Sequence, residues 1–508
     1  MCISSSLWME NKRRGQMRLS KSLYTRGLQC VKSLWLKKYN KDVLTPPDGS
    51  AEAIFETGNE VGALACKLFP NGKEVPFEGT SFEEKIVLTK KWIDEGVTNI
   101  YEATFAYDDI VVMVDVLHIN SDDTLEIYEV KSSTEVKDVY LDDASIQYYV
   151  LNGLGYSVKS TNIIHINNQY VREDELEIEK LFKIVNVSDE VKELQVNIPS
   201  HLKNFKIFLD DKENEPMVDI GKHCSNPYDC DAMEHCWKHI PEYSIFDISR
   251  LKTDTKFSLY KQGIVNFSDI ADVSGFSLSQ QIQINSELEN KEIINREAIK
   301  EFVDSLTYPL YHLDFETFQQ AVPQWKGINP FMQIPFQYSL HVENKNGDLK
   351  HCEFLAEDGK DPRYELAKRL VNDIPTDVTV LAYNMGFEKG VIRKLVEQFE
   401  EFAPKLLAIH DNIRDLMTPF QKKAYYVPSM RGSYSIKYVL PALVPEMERA
   451  YKELSLVHNG GEAMQTFAKL SKMDDATKER YRKALLQYCK LDTLAMVEVL
   501  KKLRESVG

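Results

Sequence analysis

The sequence YHLDFETF, residues 311–318, places two acidic side chains in a stretch that predicts a β-strand. Successive side chains of a strand project to opposite faces, so Asp314 and Glu316 project side by side from the same face. Two carboxylates in this position are suited to bind a divalent metal ion. Taken alone, an Asp-x-Glu near a strand end is more often solvated than metal-bound. Whether these two residues form a metal site therefore depends on residues further along the chain.

Three downstream residues extend this pair. Glu388 lies in LAYNMGFEKG, where an apolar strand is expected to turn into a helix whose positive end favours a carboxylate. Tyr488 and Asp492, in YCKLD, are four residues apart and share one face of the predicted C-terminal helix. Asp492 is then a fourth acidic ligand, and the Tyr488 hydroxyl is available to position a water. Two metal ions about 3.5 to 4 Å apart would stabilise both oxygens in phosphodiester hydrolysis.

The four acids resemble those of the DEDD exonucleases of the RNase H-like fold, over about residues 306–504: Asp314, Glu316, Glu388 and Asp492. The chain is similar to the tyrosine subgroup, because the histidine subgroup would have histidine at position 487, where this chain has Gln487. The resemblance implies an RNase H-like domain at 301–508 in which these acids bind Mg²⁺ or Mn²⁺ and act in catalysis with Tyr488. Glu388 departs from the pattern, since most DEDD enzymes have Asp there. Its longer side chain can still reach the site but would change the spacing of the metal ions or the activity.

A cysteine cluster lies upstream, in HCSNPYDCDAMEHCW, where Cys224, Cys230 and Cys236 are each separated by five residues. Cys30 is the candidate fourth ligand, because it lies at the other end of what would be the same domain. Four thiolates suit an iron-sulfur cluster or structural zinc. The spacing differs from the CxxC pairs of zinc ribbons and favours iron-sulfur, with unrelated buried cysteines as a third interpretation. The remaining cysteines are interpreted as free thiols: Cys2, Cys66, Cys352 and Cys489.

A second acidic group lies between these cysteines. Asp115 interrupts the apolar run VVMVDVL, which costs stability unless something binds the carboxylate. Glu129 and Lys131 follow in IYEVKSS, and Gln147 lies on the helix expected next. Asp115 and Glu129 can hold Mg²⁺, with the Val130 carbonyl as a further ligand, while Lys131 can orient or activate the attacking water. The predicted elements are strands at 99–107, 110–118 and 124–131, a helix at 139–154 and a strand at 162–167.

This pattern resembles the RecB-like branch of the PD-(D/E)xK nucleases, in particular an iron-sulfur type with one early and three late cysteines around the nuclease core. The resemblance implies a restriction-endonuclease-like domain at 17–240 that carries a four-cysteine 4Fe-4S cluster. It also implies that Glu60, in ETGNEVGALA, takes the place of an early metal ligand. One departure is that the family's Gln-x-x-x-Tyr pattern ends here in Leu151, although Tyr148 and Tyr149 are adjacent.

Length, composition and charge limit the class of protein to which this chain can belong. A chain of 508 residues predicts two or three domains, and 43% hydrophobic with 28% charged residues is typical of a globular protein. No apolar run approaches the roughly 20 residues of a membrane span, and the first residues lack the pattern of a secretory signal, so no membrane partner and a cytoplasmic location are expected. Met17 is an alternative start. A net charge of −16 argues against indiscriminate coating of nucleic acid.

Two local segments still suggest contact with nucleic acid. Residues 11–41 contain ten Lys or Arg and no acid, interleaved with Tyr24, Trp35 and Tyr39, which is suited to single-strand binding or is simply a solvated basic face. In RGSYSIKYVLP, Arg431 and Lys437 are available to contact phosphates, with helix capping by Ser435 as the structural alternative. Residues 241–300 are expected to form a helical connector.

The sequence as a whole predicts an α/β protein that resembles a fusion of a RecB-like iron-sulfur nuclease with a DEDD exonuclease. The expected function is metal-dependent hydrolysis of DNA, at single-stranded ends, in repair, recombination or defence against foreign DNA. The alternatives are an RNase of the DEDD type, or a nucleic-acid tether in which one or both centres are silent. No P-loop is present, so any ATP-driven movement would come from a helicase or another motor partner.

Overall fold

The computed structural model describes residues 19–47 and 49–508. They form two compact units, the first made of the described residues up to His239 together with Ala321–Phe331, and the second of Ile240–Gln320 and Met332–Gly508. Both units combine helices with a mixed sheet, which confirms the α/β class. The expected division into 17–240, a connector at 241–300 and 301–508 differs from these units. Residues 241–300 pack into the second unit, and Ala321–Phe331 pack into the first.

The first unit contains a seven-stranded sheet in the order β2-β3-β4-β5-β6-β7, with β1 paired to β4. β3, β4 and β5 form an antiparallel meander, β5 and β6 are parallel, and β7 returns antiparallel to β6. The predicted strands are confirmed, although the last one, β6, begins four residues before the expected 162. The strands are β1 Leu19–Ser20, β2 Lys73–Glu74, β3 Asn99–Tyr107, β4 Ile110–Ile119, β5 Leu125–Lys131, β6 Val158–Ile166 and β7 Phe182–Asn186.

Two helices of the first unit begin at a serine whose side chain caps them, Ser20 and Ser81. The Ser81 hydroxyl accepts from the backbone of Glu84, whose carboxylate accepts from the backbone of Ser81, and this capping box starts α4. The helices are α1 Lys21–Gln29, α2 Val31–Tyr39, α3 Gly49–Ala65, α4 Phe82–Asp94, α5 Asp138–Gly153, α6 Ile178–Leu181, α7 Ser188–Leu194, α8 Ile198–Asp210 and α9 Met233–Cys236, with 3-10 turns at Lys41–Val43, Cys66–Leu68 and Lys222–Cys224.

The segment Ala321–Phe331 completes the core of the first unit at β6 and β7. Ala321 is buried in a cluster with Ile164 and Phe182. Arg172 forms three hydrogen bonds with the segment. Its guanidinium donates to the Pro323 carbonyl at 2.9 Å. Its backbone N–H donates to the Ile328 carbonyl, and its backbone carbonyl accepts from the Gly327 N–H. No local sequence pattern predicts this excursion, because its partners are about 150 residues away.

The second unit contains a five-stranded sheet in the order β11-β10-β9-β12-β13 and a two-stranded sheet of β14 and β8. β9 is central. It pairs antiparallel with β10 and parallel with β12, so its backbone is held on both sides. The strands are β8 Ile293–Ile294, β9 Leu310–Phe318, β10 Ile334–Glu343, β11 Leu349–Leu355, β12 Thr379–Ala382, β13 Ile413–Asp415 and β14 Tyr425–Tyr426.

The last helix of the second unit packs against β9 and β10, and the Gln337 amide donates to its Leu485 carbonyl at 2.9 Å. Of the helices in 19–47 and 49–508, none combines the length and apolarity needed to cross a membrane. The helices are α10 Thr253–Lys261, α11 Leu278–Glu289, α12 Arg296–Asp304, α13 Arg363–Asp373, α14 Met385–Gln398, α15 Ala403–Asn412, α16 Thr418–Gln421, α17 Ile436–Leu443, α18 Pro445–Lys452, α19 Gly460–Lys469 and α20 Asp475–Val507, with 3-10 turns at Ile245–Asp247, Phe267–Asp269, Pro428–Met430 and Leu470–Lys472.

Candidate functional site

The second unit brings together the four acids that the sequence singled out, here called the carboxylate centre: Asp314, Glu316, Glu388 and Asp492. On β9, Asp314 and Glu316 face the same side, and Glu316 is only 7% exposed. Oxygens of both residues and the Cys489 sulfur lie within 4.8 Å of one another. The Cys489 thiol donates to the Asp314 carboxylate at 3.8 Å. Cys489 is a free thiol, as predicted, and the structure adds that it lies in this centre.

Glu388 reaches the centre from the first turn of α14. The chain enters that helix through Asn384, whose φ of 74° is left-handed and whose N–H donates to the Asp415 carboxylate at 3.0 Å. Glu388 is 2% exposed, and among the described residues its Oε2 atom has no hydrogen-bond partner. Burial, followed by the charges of Asp314 and Asp415, raises the pKa of Glu388 well above its usual range. An unpartnered buried carboxylate oxygen is costly, and a cation would satisfy it.

Asp492 lies on α20 between two tyrosines. The Tyr451 hydroxyl, from α18, donates to its Oδ1 at 2.6 Å, and the Tyr488 hydroxyl donates to the same carboxylate. Burial raises the pKa of Asp492 to about 6, while both hydroxyls and the Lys437 charge oppose the rise. Tyr488 is therefore next to Asp492, as expected. Tyr451 was missed, since its separation of 41 residues from Asp492 leaves no sequence pattern.

The carboxylate centre has little compensating charge beyond the Lys437 ammonium, which acts on Asp492. Burial and the Asp492 carboxylate raise the pKa of Asp314, and burial with both neighbouring acids raises the pKa of Glu316. Among the described residues no ion pair involves any of the four carboxylates. Buried acids without a cation repel one another and favour protonation. Oxygen donors in such a set fit Mg²⁺ or Mn²⁺, which prefer carboxylates.

The first unit brings its own predicted group together, here called the lysine–carboxylate centre: Asp115, Glu129, Lys131 and Gln147, joined by Lys21 and Asp143. Asp115 accepts from the backbone N–H of Val130 at 2.7 Å, which aligns β4 with β5. Glu129 is 1% exposed, and the Gln147 amide donates to its Oε2 at 2.6 Å. The other amide atom, Gln147 Oε1, is buried without a partner among the described residues.

Two ammonium groups share one oxygen of Glu129. Lys21 donates to Glu129 Oε1 at 2.5 Å and Lys131 donates to the same atom at 2.7 Å, while Lys131 also contacts Asp143. Burial raises carboxyl pKa values, but these two lysines outweigh it and hold the pKa of Glu129 down at about 2. Burial and the Glu129 charge instead raise the pKa of Asp115 to about 7. This centre is therefore neutralised internally, and its donors fit a divalent ion once Lys21 moves away from Glu129.

Glu60 is not placed with this centre. It is an exposed residue of α3, and no described contact joins it to Asp115 or Glu129. Glu102 takes a more suitable position on β3, at a left-handed φ of 56°. Burial raises the pKa of Glu102, and the charges of Lys21 and Glu129 also act on it. Glu102 is therefore the better candidate for an additional ligand.

The four predicted cysteines line one cavity, together with Ser33 and His223: Cys30, Cys224, Cys230 and Cys236. Cys30 is the N-cap residue of α2, where the backbone N–H groups of Ser33 and Lys32 favour the thiolate and oppose the effect of burial on its pKa. The Cys230 thiol donates to the Ser33 hydroxyl at 3.4 Å. Burial raises the pKa of Cys30 and of Cys236, and the other cavity cysteines add to the rise. Four sulfurs in one cavity with nearby donors fit a metal cluster.

The N-terminal basic segment is built differently from the expectation. Tyr24 and Trp35 are buried, at 1% and 5% exposure, so their faces are not open to bases. Arg26 donates two bonds of 2.8 Å to Asp231, and Lys21 is engaged by Glu129. These residues build the core and the centre of the first unit. Residues 11–18 lie outside the described part of the chain.

Comparison with known proteins adds two similarities. A family described as a domain of unknown function (DUF2779) matches residues 311–435, a stretch that holds three acids of the carboxylate centre but not Asp492. "Uncharacterized protein UU173" of Ureaplasma parvum serovar 3 is 25% identical over 236 residues, 42% of this chain and 34% of that protein. The chain thus spans about a third of the length of that relative.

Proposed function

We propose that this protein is a metal-dependent nuclease that hydrolyses phosphodiester bonds of DNA, exonucleolytically and at single-stranded ends. One observation carries the proposal: four acids lie together in the second unit without an ion pair among the described residues, two of them, Glu316 and Glu388, are buried, and Glu388 Oε2 has no partner. Burying such a group without a counter-charge is costly unless it binds metal. Phosphodiester hydrolysis is the chemistry that such a set of carboxylates serves.

The arrangement of the second unit supports an RNase H-like exonuclease of the DEDD tyrosine type. β9 is the central strand, flanked by an antiparallel pair on one side and a parallel pair on the other, and α20 packs against it. Asp314 and Glu316 come from β9, Glu388 from α14, and Asp492 with Tyr488 from α20. The resemblance in sequence and this topology agree on the same residues.

The residues of the carboxylate centre would have different roles in hydrolysis. The carboxylate centre would hold Mg²⁺ or Mn²⁺, which when bound activate a water and stabilise charge on the phosphate. Tyr488 donates to Asp492, which fixes its hydroxyl so that the oxygen would accept a hydrogen bond from the attacking water. In hydrolysis the water oxygen bonds to phosphorus and one phosphorus–oxygen ester bond breaks. The water proton leaves to solvent or to the departing oxygen, so one product carries a phosphate and the other a hydroxyl.

For the first unit we propose a restriction-endonuclease-like centre of the RecB type. Asp115 and Glu129 would hold the ion, Lys131 would orient water or substrate phosphate, and Gln147 holds Glu129 in place. The cysteine segment approaches this centre, because Tyr228 bonds to Tyr140, whose ring lies 5.1 Å from the Lys131 ammonium. A cluster that fixes this segment would therefore also shape the centre.

We propose that the cysteine cavity holds a 4Fe-4S cluster rather than zinc. Tetrahedral zinc, with bonds of about 2.3 Å, brings its sulfurs to about 3.8 Å from one another. Among the described residues no three of these sulfurs lie within 4.8 Å of one another. A cubane binds each cysteine to a different iron and so tolerates wider spacing. Anaerobic purification with iron, sulfide and zinc analysis tests this, and zinc without iron or sulfide would overturn it.

The test of function is cleavage of end-labelled single-stranded and duplex DNA, and of matched RNA, with Mg²⁺ or Mn²⁺. The parent is compared with Asp314→Asn and Lys131→Met, and with two matched controls, Asp304→Asn and Lys159→Met, which alter exposed ion pairs. We expect cleavage of single-stranded DNA that Asp314→Asn abolishes. Preferential cleavage of RNA would establish the RNase alternative. If both centre variants cleave like their controls, the two-centre assignment is wrong, and binding without cleavage would establish the tether.

A further inference from the structure

Three exposed cations and one exposed aromatic residue lie around the loop that follows β14, here called the strand track: Arg250, Arg431, Lys437 and Tyr438. Tyr438 is 44% exposed. Among the described residues, neither Arg250 nor Lys437 forms an ion pair. Arg431 contacts the exposed Glu242 at 2.7 Å, a surface pair of the kind that contributes little stability. Asp247 and Glu287 also act on Arg431. The acids near the track therefore compensate mainly Arg431, while Arg250 and Lys437 remain without an ion pair.

The loop beneath the track is fixed rather than mobile. The Gly432 N–H donates to the Tyr426 hydroxyl at 2.9 Å, and the buried Lys423 ammonium donates to the Gly432 carbonyl. Gly432 has a φ of 75°, and a Cβ there would lie 2.2 Å from the Gln283 amide nitrogen. Only glycine fits this position. The exposed side chains are consequently presented on a preorganised backbone.

Two of the track residues have backbone conformations that arginine seldom adopts. Arg250 has a φ of 55° and Arg431 a φ of 48°. Left-handed backbone is costly for such residues and concentrates at functional sites. Arg250 donates to the Tyr434 hydroxyl at 2.9 Å, and the Arg431 guanidinium lies 5.9 Å from the Tyr243 ring. The guanidinium groups are thus supported by aromatic residues while remaining exposed.

The track leads to the carboxylate centre. Lys437 is the cation whose charge acts on Asp492. The Tyr383 hydroxyl donates to the Tyr434 carbonyl at 2.7 Å, and Tyr383 directly precedes Asn384, where the chain turns into the helix of Glu388. The loop therefore contacts the segment that leads into the helix of Glu388, and Lys437, at the start of the following helix, acts on Asp492. A polymer lying on this surface would run toward the four acids.

We propose that the strand track binds the phosphodiester backbone of a single strand and delivers its end to the carboxylate centre, an inference that rests on the proposed function. Arg250, Arg431 and Lys437 neutralise successive phosphates, and the Tyr438 ring stacks on an unpaired base. Arg250 belongs to the segment first expected to be a connector, which thereby becomes part of the substrate-binding surface. A duplex is excluded from this role because its bases are not available for stacking.

The experiment measures binding of the full chain to a fluorescein-labelled single strand of about 20 nucleotides, longer than typical single-strand sites. EDTA blocks cleavage, and salt is varied. We expect Arg250→Gln and Lys437→Gln each to weaken binding by roughly three- to tenfold and to reduce the salt slope by about 0.7. Tyr438→Leu should weaken binding roughly fivefold or more without changing the slope. Lys405→Gln, an exposed lysine on α15, is the control and should bind like the parent.

Matched DNA and RNA strands carry the same phosphodiester, and their relative affinities identify which polymer the track prefers. The proposal is overturned if Arg250→Gln and Lys437→Gln bind like Lys405→Gln, or if duplex binds as tightly as single strand. Thermal unfolding confirms that the variants are folded, and Arg250→Lys keeps the charge and should retain most of the binding. Cleavage is assayed separately. A parent protein that binds through the track but never cleaves would refute the proposed function while supporting the track as a binding surface. Cleavage by a parent whose binding does not depend on the track residues would support the proposed function and refute the track.

Discussion

In the first unit, Glu129 is buried with two lysine ammonium groups on one oxygen and an amide on the other, and its pKa falls to about 2. In the second unit, Asp314, Glu316 and Glu388 are gathered without any ion pair among the described residues, and their pKa values rise. The same chemical group is thus held in opposite electrostatic states. We therefore expect the centre that carries its own cations to be stable without metal, and the centre that lacks an ion pair to gain stability when a divalent ion binds.

The largest expected effect concerns Glu388, the ligand that departs from the DEDD pattern. Glu388→Gln removes a charge that the metal needs and should lower exonuclease activity by roughly 10³-fold, the scale of losing one electrostatic contact to a reacting group. Glu388→Asp restores the carboxylate and should recover much of that loss. The measurement is initial rate against Mg²⁺ concentration. Glu397→Gln, on the exposed end of the same helix, is the control, and equal rates for Glu388→Gln and this control would remove Glu388 from the centre.

Glu129→Gln should destabilise the first unit by about 3 kcal/mol, since it leaves Lys21 and Lys131 buried without their shared counter-charge. Tryptophan fluorescence isolates this effect. The second unit contains no tryptophan, whereas Trp35, Trp92, Trp237 and Trp325 belong to the first. Denaturant unfolding followed by fluorescence gives the change, with the exposed Glu193→Gln as control. A variant as stable as this control would show that the lysines do not depend on Glu129.

Asp314→Asn should change the free energy of unfolding in the opposite direction to Glu129→Gln. Removing one of several repelling carboxylates should stabilise the metal-free second unit by about 1 to 2 kcal/mol, on the scale of one raised pKa unit. Added Mg²⁺ should stabilise the parent and leave the variant nearly unchanged. Thermal unfolding by circular dichroism in EDTA and in Mg²⁺ measures both. Destabilisation by Asp314→Asn in EDTA would contradict the contrast between the two centres.

Lys21→Met should strengthen metal binding in the first unit by about tenfold, because it removes one of the two ammonium groups that contact Glu129 Oε1, a gain of about 1.4 kcal/mol. Mn²⁺ titration followed by electron paramagnetic resonance, in the Asp314→Asn background, reports on the first centre. Lys159→Met removes an exposed lysine from the same sheet and serves as control. Weaker Mn²⁺ binding in Lys21→Met would instead make this lysine part of the metal-bound state.

The smallest expected effect is the change in the free energy of unfolding with pH in EDTA, which is at most about 1.4 kcal/mol per pH unit for each titrating group. Asp492 has a folded pKa raised to about 6, so its contribution is present below its unfolded pKa near 4 and is lost as pH rises through 6. Glu129 has a folded pKa of about 2, so its contribution is present above about 4.5 and is lost as pH falls toward 2. Circular dichroism should therefore show the second unit gaining stability from pH 7 to 4, and fluorescence should show the first losing it below 4.5.

The parts that sequence predicted well are those set by local pattern. β3, β4 and β5 follow from runs of β-branched residues, and Asp115 with Glu129 could be paired because they lie on consecutive strands. The parts it missed depend on distant partners. Lys21 meets Glu129 across 108 residues and Tyr451 meets Asp492 across 41, and neither separation leaves a periodic signal. The burial of Tyr24 and Trp35 in the basic segment was missed for the same reason, since only tertiary packing reveals it.

The excursion Ala321–Phe331 has a consequence for the order of synthesis. When the ribosome has produced the residues up to His239, the partners of Ala321 at β6 and β7 are already made, yet that part of the core stays open. β9, with Asp314 and Glu316, must be translated before Ala321 arrives to close it. We therefore expect a nascent N-terminal fragment to leave this part of its core exposed until residues 321–331 have been translated, which is after the strand that carries Asp314 and Glu316.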